Sequence, residues 1–158
     1  PETVTAELVR CLRDAGCSAI GIGIESGSAR VRHDVLHRYM SDEVIIKAFD
    51  VAHGTGLKTW SFNMVGLPTE TAEDLEATIR INEAAQTDFV RVSIFTPYPG
   101  TPIFVSSGPR YDRGYFRTAQ DLPTELRPIY VAWLRRLRQK GRLWLTPSEG
   151  DLLLAGSP

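Results

Sequence analysis

Alternating apolar and polar positions predict three β-strands in the first hundred residues. Between Ile20 and Ile24, isoleucines alternate with glycines, so one face of the strand is apolar and the other admits close approach. From Leu57 to Val65, aromatic residues and methionine alternate with threonine, serine and asparagine. A third strand-like run covers residues 89–96.

Segments with helical periodicity lie between these strands. Thr5 precedes apolar positions spaced three or four residues apart, and Cys11 is one of them, so we expect Cys11 in the core. Ser41 begins a second helix, and the Thr71-x-x-Asp74 capping box opens a third, which continues to about residue 86. Strands separated by helices are typical of parallel βαβ construction, so the sequence predicts an α/β fold.

The chain after Pro97 has a different composition, rich in proline and glycine. Farther along, the spacing of apolar residues predicts a helix from Pro123 to about Lys140. We expect its apolar stripe to dock on the body of the chain, although a basic helix also suits an anionic membrane or nucleic acid. The stripe is Tyr130, Trp133, Leu134 and Leu137, with Arg135, Arg136 and Arg138 mainly off it. We therefore divide the chain into 1–104 and a loop-rich, partly helical extension, 105–158.

The charge balance adds an asymmetry between these two parts. The 158 residues carry 18 Lys and Arg against 19 Asp and Glu, a net charge of −1. Cut after Pro97, the first part has a net charge of −5 and the second of +4. The basic part is expected to face the acidic body of its own chain, so we predict neither a nucleic-acid nor a membrane partner.

Cysteine content and hydropathy narrow the class of protein. Two cysteines cannot form a disulfide scaffold. Cys11 and Cys17 are six residues apart, and Gly16 should end the helix between them, so nothing brings the two thiols together. No apolar stretch is long enough for a membrane helix, and the start has no signal-peptide pattern. We expect reduced thiols and a cytoplasmic location.

Two motifs imitate known sites. Gly21-x-Gly23-x-x-x-Gly27 resembles a dinucleotide-binding loop, but its third glycine falls one position late. His33-Asp34-x-x-His37 resembles the helix of a zinc hydrolase, with two imidazoles one turn apart on a short helix. We keep the zinc site as a minor alternative.

Three further motifs follow the three strands in order. Ile22-Gly23-Ile24-Glu25-Ser26-Gly27-Ser28 ends the first strand, with Arg38 about a dozen residues later. Val65-Gly66-Leu67-Pro68-Thr69-Glu70-Thr71 ends the second, and Thr96-Pro97-Tyr98-Pro99-Gly100-Thr101-Pro102 ends the third. Parallel α/β proteins place ligand-contacting loops at the carboxyl ends of their strands.

The order and spacing of these motifs resemble the later half of a radical S-adenosylmethionine (radical SAM) domain, over about residues 8–104. The branch with cobalamin-binding methyltransferases, anaerobic cyclases and methylthiotransferases is the most similar. The resemblance implies a partial (β/α)6 barrel of about three βα units. It also implies a [4Fe-4S] cluster and S-adenosylmethionine, with cobalamin in addition if a cobalamin-binding domain precedes Pro1.

The resemblance also assigns site residues. Glu25 would accept hydrogen bonds from the ribose hydroxyls, and Arg38 would pair with the methionyl carboxylate. Glu70 is expected to cap its own turn and the helix start rather than touch substrate. The remaining cofactor-contacting positions are Gly23, Ser26, Gly27, Met64, Gly66, Leu67, Pro68, Phe95 and Thr96.

The chain departs from the family because it contains no C-x3-C-x2-C cluster motif. Together with an amino-terminal half that this sequence lacks, the chain would cleave S-adenosylmethionine to a 5′-deoxyadenosyl radical and act on a small-molecule substrate. The chain alone is expected to be inactive. The second interpretation is a stand-alone binding or assembly module derived from such a domain. In either case an amino-terminal half or a partner chain is expected to cover the open edge of the sheet.

Overall fold

The structure is a computed structural model that describes residues 1–103 and 119–144. The strands are β1 (Ala19–Glu25), β2 (Lys58–Val65) and β3 (Phe89–Ile94). The α-helices are α1 (Ala6–Asp14), α2 (Asp42–Gly54), α3 (Ala72–Ala84) and α4 (Arg127–Gln139), with a π-helix at Val31–Val35 and a 3-10 turn at Ala119–Asp121. The predicted α/β fold is confirmed.

The three strands form one parallel sheet in the order β1-β2-β3. Each crossover carries a helix, as the alternation of strand-like and helix-like segments predicts. Thr5, Ser41 and Thr71 cap α1, α2 and α3 through their hydroxyl oxygens. All three predicted helix starts are therefore confirmed.

The helix-covered face of the sheet is apolar on β1 and polar on β2. Ile22 and Ile24 pack against α2, including Phe49. On β2, by contrast, three of the four buried residues are polar (Thr59, Ser61 and Asn63, with Val65 the fourth), whereas Trp60, Phe62 and Met64 on the other face are half-buried. Alternation predicted the strand but not that its polar face would lie beneath the helices.

Hydrogen bonds satisfy this polar layer. The Ser61 hydroxyl donates to Asn82 Oδ1 at 2.5 Å, and Asn82 Nδ2 donates to Asn63 Oδ1 at 2.8 Å. At the amino-terminal end of β2, Asp88 accepts from the Thr59 backbone amide at 2.9 Å and from Lys58 at 2.8 Å. Buried polar groups paired in this way fix the register between α3 and β2.

The predicted apolar stripe on α1 is wrong. Val9 is the buried residue of this helix, whereas Leu8 is 42% exposed and Cys11 and Cys17 are both exposed. Val9 packs against Leu57 and Ala52, so α1 meets α2 through one row of contacts and turns the Leu8–Cys11 side outward. Helical spacing defines a stripe but does not define which neighbour covers it.

Helix α4 packs on the core formed by β3 and α3, as expected. Tyr130, Trp133, Leu134 and Leu137 are buried together with Val90 and Leu75. The helix begins at Arg127, four residues later than predicted, because the amides of Leu126 and Arg127 both donate to the carbonyl of Pro123 in a preceding turn. Most of the predicted loop, and the chain end, lie outside the described residues.

After α4 the chain returns to the sheet. Val90 donates to the carbonyl of Arg142 at 2.8 Å and accepts from the Trp144 amide at 3.1 Å, which places Leu143 in a parallel bridge to β3. Trp144 then stacks on Trp60, with ring centroids 5.0 Å apart. Residues 127–144 therefore continue the alternation of helix and strand and share the core of residues 1–103.

Across the described ranges, no helix is long and apolar enough to cross a membrane.

Leu134→Ala tests this shared core. Leu134 is fully buried, so we expect the free energy of unfolding to fall by about 2–5 kcal/mol in a single cooperative transition. Tyr130→Phe is the matched comparison, because the Tyr130 hydroxyl is buried with no hydrogen-bond partner in the described part of the chain. Its removal should change stability by less than about 1 kcal/mol. Urea unfolding measures both; a small loss for Leu134→Ala would show that α4 is a separate appendage.

Candidate functional site

The three predicted motifs meet at one edge of the sheet. Parallel strands end on the same side, so the segments after Glu25, Val65 and Ile94 lie next to one another. The ladder continues past β3, since Phe95 donates to the carbonyl of Val65 at 2.8 Å. This edge is the one where α/β proteins hold ligands.

Glu25 and Arg38 form an ion pair at this edge. Arg38 Nη1 donates to Glu25 Oε1 at 3.1 Å, and both side chains are partly buried. Glu25 follows a β-bulge and has φ +67°, a conformation that residues other than glycine rarely adopt. A Cβ on Gly23 would lie 2.4 Å from Glu25 Oε1, so the missing side chain of Gly23 makes room for the pair.

Burial raises the pKa of the Glu25 carboxyl, whereas the charge and hydrogen bond of Arg38 lower it. Burial is the larger effect. The guanidinium nevertheless favours the ionised carboxylate, which is a hydrogen-bond acceptor. The pair therefore offers acceptor and donor groups side by side.

The loop after Glu25 is held against α3. Gly27 donates from its amide to Thr78 Oγ1 at 2.8 Å, and a Cβ on Gly27 would lie 2.2 Å from the carbonyl oxygen of Ala77. Ser26 is fully buried, and its hydroxyl accepts from the Ser28 amide at 3.2 Å. The glycine thus permits close contact between loop and helix, and its amide is engaged by Thr78.

Asp74 on α3 joins two of the site loops. It accepts from the Ser28 hydroxyl at 2.5 Å and from Arg30, and it also completes the capping box with Thr71. Burial alone would raise the pKa of Asp74, but hydrogen bonds from Ser28, Thr71 and Arg30 lower it to about 2. Asp74 is therefore an ionised anchor for the loop after β1.

A buried arginine, which the sequence did not reveal, supports the same loop. Arg32 is 1% exposed and donates to the carbonyls of Ser26 at 3.0 Å and Met40 at 3.2 Å, and it also pairs with Asp42. It connects the Ser26 loop to the start of α2. The sequence around Arg32 gives no signal of this kind, because only the fold shows which carbonyls the side chain reaches.

The loop after β2 is a tight turn closed by Glu70. The Glu70 amide donates to the Leu67 carbonyl at 3.1 Å, and Thr69 between them has φ +61°. Pro68 and a positive φ at the next residue are typical of a type II turn. Glu70 Oε2 accepts from the amides of Gly66 at 2.5 Å and Leu67 at 3.2 Å, so Glu70 caps its own turn as expected. The start of α3 is capped by Thr71 together with Asp74, not by Glu70.

An apolar wall lies at the same edge of the sheet as the Glu25–Arg38 pair. Val31, Leu67 and Phe95 are buried together, with Met64 partly buried against them. Thr96 is half-buried and lies next to Phe95, with its hydroxyl 3.5 Å from the Ile94 carbonyl. The structure thus brings charged and apolar candidate residues from all three strands to one edge.

The premise of the zinc site is wrong. The helix around His33 is a five-residue π-helix that ends at Val35, and His37 has φ +50° outside it. The two imidazoles therefore do not occupy one face of a regular helix, and His33 Nδ1 already pairs with Asp34 at 2.7 Å. Within residues 1–103 and 119–144, no group of three metal-ligating side chains is present.

The dinucleotide-type loop has no support either. The amide of Gly27 already donates to Thr78. Gly21 faces the ring of Phe62, and a Cβ added to Gly21 would lie 2.5 Å from that ring. Neither glycine leaves the open backbone that a pyrophosphate requires.

Comparison with known proteins identifies a family. The model of the Radical SAM superfamily matches residues 1–81. An uncharacterized methyltransferase of Pyrococcus horikoshii is 30% identical over 102 residues, which cover 65% of this chain and 22% of the relative. The anaerobic magnesium-protoporphyrin IX monomethyl ester cyclase of Cereibacter sphaeroides is 33% identical over 98 residues, which cover 62% of this chain and 16% of the relative. The chain spans about a fifth of the length of these relatives.

A solved structure supports the fold. Coproporphyrinogen III oxidase from Escherichia coli, described as a radical SAM enzyme, superposes with a TM-score of 0.65 at 21% identity. The match covers 89% of this chain and 31% of that protein. The prediction of a partial radical SAM barrel is confirmed.

Gly27→Ala should destabilise the protein by about 3 kcal/mol or more, because the added methyl would collide with the backbone of α3. Gly54→Ala, at the end of α2, is the matched control: its methyl would meet nothing within 4 Å. We expect a gain of about 0.5–1 kcal/mol there. Thermal unfolding measures both, and a tolerated Gly27→Ala would disprove the close contact.

Asp74→Asn should remove about 2 kcal/mol of stability at neutral pH, because the native pKa of about 2 lies below the ordinary 3.8. A lowered native pKa stabilises the fold above the unfolded pKa, and this contribution is lost as pH falls from about 4 to about 2. The difference between the natural protein and the variant should therefore shrink in acid. Glu73→Gln, one position away and exposed, should change stability by less than about 0.5 kcal/mol. Urea unfolding at about pH 7 and about pH 3 measures this difference. An equal loss of stability in Asp74→Asn at both pH values would contradict the lowered pKa of Asp74.

Proposed function

The chain belongs to the radical SAM superfamily, and on that premise we propose that it is the S-adenosylmethionine-binding later half of a radical enzyme. The observation that carries this proposal is the juxtaposition of the Glu25–Arg38 pair and the apolar wall at the carboxyl edge of a parallel sheet. S-adenosylmethionine combines a charged amino-acid part with a nucleoside, and these two surfaces match it.

We propose that Glu25 accepts hydrogen bonds from the ribose hydroxyls and that Arg38 binds the methionyl carboxylate. The guanidinium carries five N–H donors, so one bond to Glu25 leaves donors for a ligand carboxylate. Arg38 also orients Glu25, whose strained backbone fixes where its carboxylate lies. Binding of the amino-acid part and of the ribose would thus depend on one another.

The nucleoside base would lie against the apolar wall. Met64, Leu67 and Phe95 supply it, and Gly66 with Pro68 shapes the turn beside it. Thr96 offers a polar group at the rim. Gly27 and Ser26 support the site indirectly, since α3 and the loop itself occupy their amide and hydroxyl.

The residues of this chain do not fit a [4Fe-4S] cluster. Cys17 precedes β1 by two residues and so lies at the opposite end of the strand from Glu25, and β1 itself is about 20 Å long. Cys11 lies on α1 at the same far end. The cluster ligands, and any cobalamin, would come from outside this chain. When bound, the cluster would supply the electron that cleaves S-adenosylmethionine to methionine and a 5′-deoxyadenosyl radical.

We propose that the free edge of β1 is covered by an amino-terminal half or a partner chain. Among the described residues β1 pairs with β2 alone, and the adjacent α1 turns Leu8 and Cys11 outward. An unpaired strand beside an exposed apolar side chain is an aggregation hazard unless covered. A small-molecule substrate would be selected by those additional segments.

A non-catalytic binding module is the second candidate, favoured by the lack of a cluster motif in this sequence. Anaerobic reconstitution of the intact protein with iron and sulfide separates the two. Formation of 5′-deoxyadenosine under reduction supports the radical enzyme. Binding of S-adenosylmethionine without iron, and with no 5′-deoxyadenosine, would support the module.

Arg38→Gln and Glu25→Gln should each weaken S-adenosylmethionine binding about 10- to 100-fold, because each removes a charge-assisted hydrogen bond. Arg80→Gln is the matched control, since Arg80 is an exposed cation that pairs along α3 with Glu76. Isothermal titration of the intact, reconstituted protein measures all three affinities. Unchanged affinity in Arg38→Gln, with the fold intact by circular dichroism, would remove the proposed carboxylate contact.

A further inference from the structure

One buried carboxylate at the site is only half satisfied. Glu70 is 6% exposed, and its Oε2 accepts from the amides of Gly66 and Leu67. Its Oε1 is buried without a hydrogen-bond partner in the described part of the chain. An ionised carboxylate with one unpaired oxygen away from water is costly, whereas the neutral acid can place its proton on that oxygen.

The turn that Glu70 closes is strained. Thr69 has φ +61°, which is unfavourable for a β-branched residue, and Arg30 Nη2 holds its carbonyl at 2.9 Å. Gly66 is in close contact with Leu122, since an added Cβ would lie 2.8 Å from Leu122 Cδ2. A turn under strain stays closed only while its neighbours hold it, and the Glu70 carboxyl group provides two of those hydrogen bonds.

We propose that Glu70 is a positioning residue whose protonation sets how firmly the Gly66–Thr69 turn is closed, with the neutral acid favouring the closed turn. This inference rests on the proposed function, because the turn would form part of the wall beside the nucleoside base. Glu70 would act through the turn and would not touch the ligand.

The charges around Glu70 are consistent with this role. Burial, with a smaller contribution from Asp74 on α3, raises the pKa of Glu70, whereas the two amides and Arg30 lower it, and the net pKa is about 7. In an open turn the carboxyl would meet water and return towards its ordinary value of 4.5. A raised pKa in the closed state means that closure is favoured below about pH 4.5 and that this preference is lost as pH rises to about 7.

Hydrogen exchange tests the proposal without any ligand. Protection factors of the Gly66 and Leu67 amides are measured by NMR in the intact, folded protein from about pH 5 to about pH 8, with Ser61 and Phe62 of β2 as core references. We expect the two turn amides to lose at least about tenfold in protection as pH rises, with the β2 amides unchanged.

Two variants make the test specific. Glu70→Gln keeps a carbonyl oxygen for the two amides and cannot ionise, so it should abolish the pH response while keeping protection high. Glu73→Gln, an exposed carboxylate three residues along, should respond as the natural protein does. A pH-independent turn in the natural protein, or a parallel loss in the β2 amides, would overturn the proposal.

Ligand affinity then connects the turn to the site. In the reconstituted protein, S-adenosylmethionine affinity should fall at least about threefold from about pH 6 to about pH 8, and Glu70→Gln should flatten that profile. If the ligand binds but the profile of Glu70→Gln matches the natural one, the positioning role is wrong and the proposed function stands. If the ligand does not bind at any pH while the turn amides still respond, the proposed function fails alone.

Discussion

The close contact between Gly27 and the first turns of α3 is the constraint on which the site depends. The backbone of the loop after β1 approaches the backbone of α3 without an intervening side chain, and the Thr78 hydroxyl bonds the Gly27 amide across the contact. Four residues earlier on the same helix, Asp74 anchors Ser28 and Arg30. One helix thereby fixes the loop that follows Glu25 and the turn that precedes its own capping box.

The same helix must also lie in one register over the sheet, and the polar layer on β2 provides that specificity. Asn82 on α3 bonds Ser61 and Asn63, so a shift of the helix along β2 would leave buried amide groups unpaired. A purely apolar face would tolerate such a shift more easily. This explains why the polar face of β2 lies under the helices while Trp60 and Phe62 line the opposite, more open face.

Local patterns predicted what depends on local physics. The strands, the three hydroxyl caps and the capping box at Thr71 follow from spacing and side-chain chemistry, and the meeting of the three motifs follows from parallel topology. The exposed Cys11 and the buried Arg32 did not follow, because each depends on which distant segment lies opposite. The wrong prediction for Cys11 and the missed burial of Arg32 have the same reason, because burial is a property of the assembled fold.

Backbone strain is concentrated around the candidate site. Of the four residues other than glycine with positive φ in the described chain, Glu25 and Thr69 lie in the site loops and His37 directly precedes Arg38. Each such conformation costs about 1–3 kcal/mol, so it persists only where neighbouring contacts hold it. Arg38 bonds Glu25, Arg30 and Glu70 hold the Thr69 turn, and Asp74 fixes Arg30 in turn. Because those contacts connect β1, β2 and α3, loss of any one of them should disturb the geometry of the others before it unfolds the domain.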